Sequence, residues 1–191
     1  MAKRTADPTF AWEPLGRLLD DGIEALVRRE WEEVAIDRDR MPLDLDWDEY
    51  QRMEDNGLFR CMGARLGGKL IGFSSFMTFR GHPHYRTTPH AMNDAIYVVP
   101  EHRGLTGLRL ILSADRELQE WSAPKPVRVV YQAKDLKMGP QDSLEAVEAL
   151  MVLEHEFGLK LTDGPQGDTL GAVLTWLGYK AFETSYGRFV G

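Results

Sequence analysis

The sequence predicts an α/β fold in one domain, residues 1–191, with helices alternating with short strands. Three observations predict it. Leu15 to Ile36 places Leu15, Leu18, Leu19, Ile23, Leu26, Val27, Trp31 and Val34 near i, i+3, i+4 spacing, the mark of an amphipathic helix. Gly67-Gly68 separates two apolar runs, a strong hairpin signal. Asn93 to Ile111, NDAIYVVPEHRGLTGLRLI, passes from an apolar β-branched run through a glycine-bearing turn into helical spacing.

Taken in order, residues 1–14 read as a loose or partly extended arm, with Pro8 to Glu13 the stretch that would supply a first strand. The helix over Leu15 to Ile36 carries Asp20, Asp21, Arg28, Arg29 and Glu30 on a solvated face. DRDRMPLDLD is a charged, proline-containing loop, and Asp46 caps a second short helix, DWDEYQRMEDNG, that Gly57 ends. The hairpin LFRCMGARLGGKLIGFSSFMTF follows, then the turn-rich loop GHPHYRTTPH. Ala95 to Val99 is a buried strand, stopped at Pro100 because proline gives a ladder no N–H. Leu108, Ile111, Leu112 and Leu118 then set a helix from Gly104 to about Trp121. APKP breaks it, and PVRVVYQA is the next buried strand. Within 135–166 lies a further helix, DSLEAVEALMVLEHEF, begun at Asp142 or Ser143. DTLGAVLTWLGY is a short helix closed by Gly178, and AFETSYGRFV is a final, edge-type strand.

The bulk properties narrow the class. The 191 residues suffice for one well-buried core, and 43% hydrophobic with 28% charged residues is ordinary for a globular protein. A net charge of −7 argues against a broad footprint on duplex DNA, with Arg80, Arg86 and Arg103 available for a local basic face. The single cysteine, Cys61, forms no internal disulfide and reads as a packed thiol in a strand. No apolar run is long enough to span a bilayer, and MAKRTADPTF lacks the apolar stretch of a secretory signal. The expected location is the cytoplasm, that of the host if the chain is phage-encoded. A homodimer is compatible with these properties.

Strand, glycine turn and helix together aim free backbone N–H groups and a helix dipole at an anion. The turn reads Arg103-Gly104-Leu105-Thr106-Gly107-Leu108. It resembles the acetyl-CoA signature of the GNAT acyltransferase superfamily, Arg/Gln-x-x-Gly-x-Gly/Ala after the fourth strand. Arg103 and Gly104 fit, while Thr106 and Leu108 stand where Gly and Gly/Ala are usual. The element order resembles the GNAT order over most of the chain. That implies a mixed, mostly antiparallel twisted sheet with helices on both sides and a parallel pair flanking the signature helix. WEEVA, LDWDEY, LIGF, HY, AMNDAIYVVPEHRG and LGYKAFETSYGR recur in this order in a phage and prophage group of GNAT-like proteins, a resemblance over residues 30–190.

The resemblance implies acetyl-CoA, or another acyl-CoA, as cofactor, held by the Arg103 to Leu108 turn. It implies an N-acyltransferase whose acceptor is an amine on a small molecule, a protein or a modified nucleotide, attacked directly in a ternary complex. The thioester carbonyl would meet a backbone N–H within Tyr97, Val98 or Val99. Asp94 is the first candidate for base or amine-orienting carboxylate, or else it caps the strand entrance. A carboxylate is a weak base at neutral pH, so that role needs burial or a relaying water. Glu33 is the second candidate, or a solvated helix carboxylate. The family's leaving-group tyrosine position holds Leu174, just before Leu177-Gly178-Tyr179, so Tyr186, Tyr179 or Tyr85 would substitute, or the thiolate leaves unaided. His84-Tyr85 walls the acceptor pocket, with His84 an alternative base, or lies in an exposed loop. His82, His84 and His90 lack nearby Cys or carboxylate ligands, and no metal is expected. The same departures at Thr106, Leu108 and Leu174 leave open a non-catalytic binding or structural module of this fold, and the phage-type likeness a transferase acting on a modified DNA base.

Overall fold

In a computed structural model, residues 7–35, 38–81, 84–131, 155–158 and 170–179 are described. They form a five-stranded sheet in the order β1-β2-β3-β4-β5: Thr9–Trp12, Phe59–Leu66, Lys69–Phe79, His90–Val98 and Arg128–Val130. The first four strands pair antiparallel and β4 pairs parallel with β5. The helices are α1 (Leu15–Asp20), α2 (Ile23–Val34), α3 (Trp47–Asp55), α4 (Leu105–Ser122) and α5 (Leu170–Trp176). A single 3-10 turn, Pro100–His102, joins β4 to α4.

Successive residues of a strand face opposite sides, and β2 shows which layer covers each. The Phe59 ring packs on Tyr50 of α3, whereas Arg60 lies over Trp121 of α4. Thus α3 covers one side, where α1 and α2 also pack, and α4 the other. The core is filled from both: Leu15 and Leu18 of α1, Phe73 and Phe76 of β3, and Leu108, Ile111 and Leu118 of α4 are at most 2% exposed.

The hairpin turns where the two glycines stand, with Gly67 at φ 57° and Gly68 at φ 88°, values an L side chain rarely adopts. Asp46 caps α3, its carboxylate accepting from the Glu49 N–H at 2.9 Å. Gly57, at φ 69°, closes that helix.

Several expectations are corrected. The first strand exists: Thr9–Trp12 pairs with Met62–Arg65, and the Glu13 N–H continues the contact to the Cys61 carbonyl at 3.1 Å. The run from Leu15 is two helices, because Gly22 sits at φ 85° and restarts the chain at Ile23. The break lets Asp21 reach Arg65 at 2.6 Å, where Glu13 also binds it at 2.7 Å, forming a buried ion network at the β1–β2–α1 corner. Glu30 is not solvated but buried. His90 belongs to β4 rather than to the loop before it, and β5 is short and only half-buried. Of the helix expected within 135–166, residues 155–157 are helical; the remainder, the final strand and Tyr186 lie outside the described residues.

Candidate active site

The site is built around β4. Opposite Ser75 stands Ala95, yet opposite Phe76 stands Asn93, so Asp94 is an extra residue, a β-bulge. Strict alternation from Ala95 would put Asp94 on the α4 side. The bulge instead brings it within reach of the α3 side, where the Tyr50 hydroxyl donates to Oδ2 at 3.2 Å and the Ser75 hydroxyl donates at 3.3 Å. Ser75 also accepts from the Ala95 N–H at 3.2 Å, and the buried Asn93 amide donates to the Ser75 and Ala95 carbonyls at 2.9 and 3.1 Å. The bulge is therefore held from both flanks. Burial, and then the Asp94 charge, push the Tyr50 phenol up to about 12, so it stays protonated and donates. Asp94 stands mid-strand, not at its entrance. Tyr50 and Ser75 were not singled out from sequence; Tyr50 was legible only as three residues beyond Trp47 on the packed face of α3.

Among the described residues β4 and β5 pair only over His90–Met92 with Arg128–Val130. The Val99 N–H binds the Ile71 carbonyl of β3 at 2.9 Å. In an antiparallel ladder alternate residues turn their N–H groups to opposite neighbours. The Ile96 and Val98 N–H groups therefore face away from β3. The Val98 carbonyl lies on that side too, where Arg103 Nε donates to it at 2.9 Å. Of Tyr97, Val98 and Val99, then, Val98 alone turns its N–H away from β3.

The glycine turn follows. Gly104 is the N-cap of α4 at φ 83° and ψ −121°, a conformation open to glycine, and among the described residues no side chain is bonded to this helix end. The first intrahelical bond is Leu108 N–H to the Gly104 carbonyl at 3.2 Å. The N–H groups of Leu105, Thr106 and Gly107 precede it and point along the axis, as in the first turn of any helix. Thr106, Gly107 and Leu108 turn their side-chain positions into the core, leaving the backbone as the turn's binding surface.

Arg103 and Glu33, two separate candidates in the sequence, are partners. Glu33 of α2 receives Nη1 at 2.7 Å and Nη2 at 2.5 Å, and the guanidinium lies 5.3 Å from the Tyr97 ring. Burial opposes the charge on Arg103, but the bonds to Glu33 prevail and hold its pKa above the ordinary value. Both Glu33 oxygens are thus engaged by Arg103.

The other candidates fall elsewhere. Tyr85 is 52% exposed and stacks on His90 at 5.2 Å, with His84 edge-on to it at 6.3 Å. No contact joins His84 or Tyr85 to Asp94 among the described residues. Leu174 is core. Tyr179 does not replace it as an acid: its hydroxyl donates to Asp115 Oδ2, while the Tyr131 hydroxyl donates to Oδ1 at 3.2 Å. Burial, foremost, raises both phenols and lifts Asp115 to about 6. Cys61 is a packed thiol, pushed up by complete burial. Arg80 sits over Trp121 at the C-terminal end of α4, whereas Arg103 lies beyond its N-terminal end, so the two share no basic face.

No protein-family model matches the chain, and no curated protein is significantly similar to it. Solved structures are. An aminoglycoside acetyltransferase from an uncultured soil metagenomic sample, in complex with sisomicin, is 13% identical with a TM-score of 0.53, covering 95% of this chain and 97% of that one. Ribosomal-protein-alanine N-acetyltransferase from Brucella melitensis biovar Abortus 2308 is 18% identical with a TM-score of 0.51, covering 95% and 99%. A predicted acetyltransferase with acetyl-CoA from Clostridium acetobutylicum is 13% identical with a TM-score of 0.50, covering 82% and 92%. With the strand order and the parallel β4–β5 pair, these likenesses give the chain the fold of the GNAT acetyltransferases.

Proposed function

We propose that this chain is an acyl-CoA-dependent N-acyltransferase with acetyl-CoA as its donor. The observation that carries the reading is the N-terminus of α4, whose N-cap is a glycine without a side chain, directly after a β4 whose Val98 N–H faces away from β3. The pyrophosphate fits the N–H groups of Leu105, Thr106 and Gly107, where the helix dipole favours negative charge. The thioester then lies along β4, and its carbonyl oxygen accepts from Val98 N–H. The acceptor amine attacks the carbonyl carbon, the C–S bond breaks, and CoA leaves as thiolate. Asp94 orients the amine and takes its proton, directly or through water, and that proton ends on the thiolate sulfur. Nothing in this route needs a covalent enzyme intermediate, and the buried Cys61 is unsuited to form one.

The N-terminal end of α3 is acidic. Asp44, Asp46 and Asp48 line a cleft of about 390 Å³ at the N-terminal end of α3, the helix that sends Tyr50 to Asp94. This favours an amine on a molecule that carries further positive charge, in keeping with the aminoglycoside ligand of one structural neighbour. A protein amine, or one on a modified nucleotide as the phage-type resemblance implies, is the alternative acceptor class. A second reading, a binding module without turnover, is favoured by Leu174, which fills the core where a tyrosine acid is usual. Calorimetry with acetyl-CoA, followed by a mass-shift screen of cationic amines, separates them. Donor binding with an acetylated product, a gain of one acetyl mass, supports the enzyme. Donor binding without any product leaves the module, and absence of donor binding sinks the proposal.

A further inference from the structure

We propose that Arg103 is a positioning residue for acyl transfer, spending its guanidinium on aiming the Val98 N–H rather than on the phosphates of the donor. The inference rests on the acyltransferase reading and adds a role for the side chain of the turn's first residue. All three guanidinium nitrogens are occupied within the chain: Nε by the Val98 carbonyl at 2.9 Å, Nη1 and Nη2 by Glu33 at 2.7 and 2.5 Å. The Arg103 side chain is 12% exposed and that of Glu33 30%, so the guanidinium is largely covered while Glu33 keeps contact with solvent. An arginine so engaged has both of its bidentate edges taken, and the pyrophosphate is left chiefly to the backbone.

What the engagement fixes can be followed atom by atom. The peptide between Val98 and Val99 is clamped from two sides. Its N–H binds the Ile71 carbonyl of β3 at 2.9 Å, and its carbonyl binds Arg103 Nε. The preceding peptide, which carries the Val98 N–H, lies between that clamp and the Tyr97 ring, against which the guanidinium rests at 5.3 Å. The direction of the Val98 N–H is therefore set by Arg103 and β3 together. Glu33 in turn anchors the guanidinium to α2, so the donor strand, the glycine turn and a helix of the opposite wall move as one unit. Lysine cannot reproduce this, because a single ammonium cannot bridge a carbonyl and a bidentate carboxylate in fixed directions.

The test uses the full chain and acetyl-CoA carrying a ¹³C carbonyl. Infrared difference spectra of the bound thioester report polarisation of the carbonyl, and calorimetry compares acetyl-CoA with CoA. In the native chain the carbonyl band should lie below its position in free acetyl-CoA, and acetyl-CoA should bind more tightly than CoA. In Arg103→Lys and Glu33→Gln the band should return toward the free position, and the preference for acetyl-CoA should fall by about fivefold, the worth of one hydrogen bond. Loss of CoA binding should be smaller than loss of the preference. Glu33→Gln, near-isosteric and partly exposed, serves if the lysine variant does not fold. Variants whose band stays where the native one lies overturn this inference and leave the acyltransferase intact. A native chain that binds no acetyl-CoA overturns both.

Discussion

The buried carboxyl of Asp115 makes a stability prediction with a definite sign. Removal from water disfavours its charged form, and the two tyrosine hydroxyls that donate to it recover only part of that cost. Its pKa is raised from 3.8 to about 6. Between those values the folded chain holds more protons than the unfolded one, so stability falls as pH rises. The whole excursion is about 2 units, or about 3 kcal/mol, present below the unfolded value and gone above the folded one. From pH 4.5 to 7.5 the share lost is about 2 kcal/mol. Asp115→Asn removes the titration and keeps an oxygen for one tyrosine. Urea unfolding across this pH range, followed by tryptophan fluorescence, gives the native-minus-variant stability difference. That difference should decline by about 2 kcal/mol on going to pH 7.5. A flat difference, or one that grows with pH, would show that the carboxylate is the better-solvated form inside the fold and that burial does not dominate there.

Three further outcomes are expected. Asp94→Asn should lower turnover by about 10²-fold or more with an acceptor from the amine screen, while calorimetric affinity for acetyl-CoA stays within about twofold; normal turnover would remove Asp94 from the chemistry. Gly104→Ala tests the turn through its backbone alone, since a Cβ there meets nothing within 4 Å. Holding alanine at φ 83° costs about 1–3 kcal/mol, so the turn relaxes and acetyl-CoA affinity should drop by about tenfold, with unchanged affinity counting against the amide cradle. Gly63→Ala would place a Cβ 2.5 Å from Glu13 Oε1 and 3.3 Å from Leu18, forcing Glu13 away from Arg65. Arg65 keeps Asp21, so this displacement should cost about 1–3 kcal/mol in urea unfolding, and a loss well under 1 kcal/mol would mean the carboxylate finds another seat.

What could be read from sequence was what is decided within a few residues. The Gly67-Gly68 turn, the Asp46 cap and the strand–turn–helix at Gly104 each depend on local backbone preference. The burial of Leu108, Ile111, Leu112 and Leu118 follows from spacing. Where tertiary partners decide, local pattern misled. The continuous apolar spacing over Leu15 to Val34 hides the break at Gly22, whose consequence is the distant contact of Asp21 with Arg65. Four residues at Thr9–Trp12 are too few to announce a strand until β2 offers a partner. Glu33 and Arg103 each looked like a solitary candidate because their contact spans 70 positions. Tyr179 read as a spare acid because nothing near it in sequence names Asp115.

The bulge at Asp94 ties these threads to function. A regular β4 would place Asp94 and Tyr97 on opposite sides of the sheet, and only one of them could face α2 and α3. One extra residue in the ladder puts the carboxylate beside Tyr50 while Tyr97 stays beneath Arg103, both toward the same helical layer. Under the proposed reading, the acceptor's carboxylate and the donor's amide thus come from one strand, four residues apart, with no loop between them. The donor contacts are then made by backbone alone, at Val98 and at Leu105 to Gly107. This explains why Thr106 and Leu108 can replace the signature's small residues: their side chains pack in the core while their amides keep the helix-end direction. Under the same reading, the residues that matter most are those that aim the backbone, Gly104 by its positive φ and Arg103 by its three bonds.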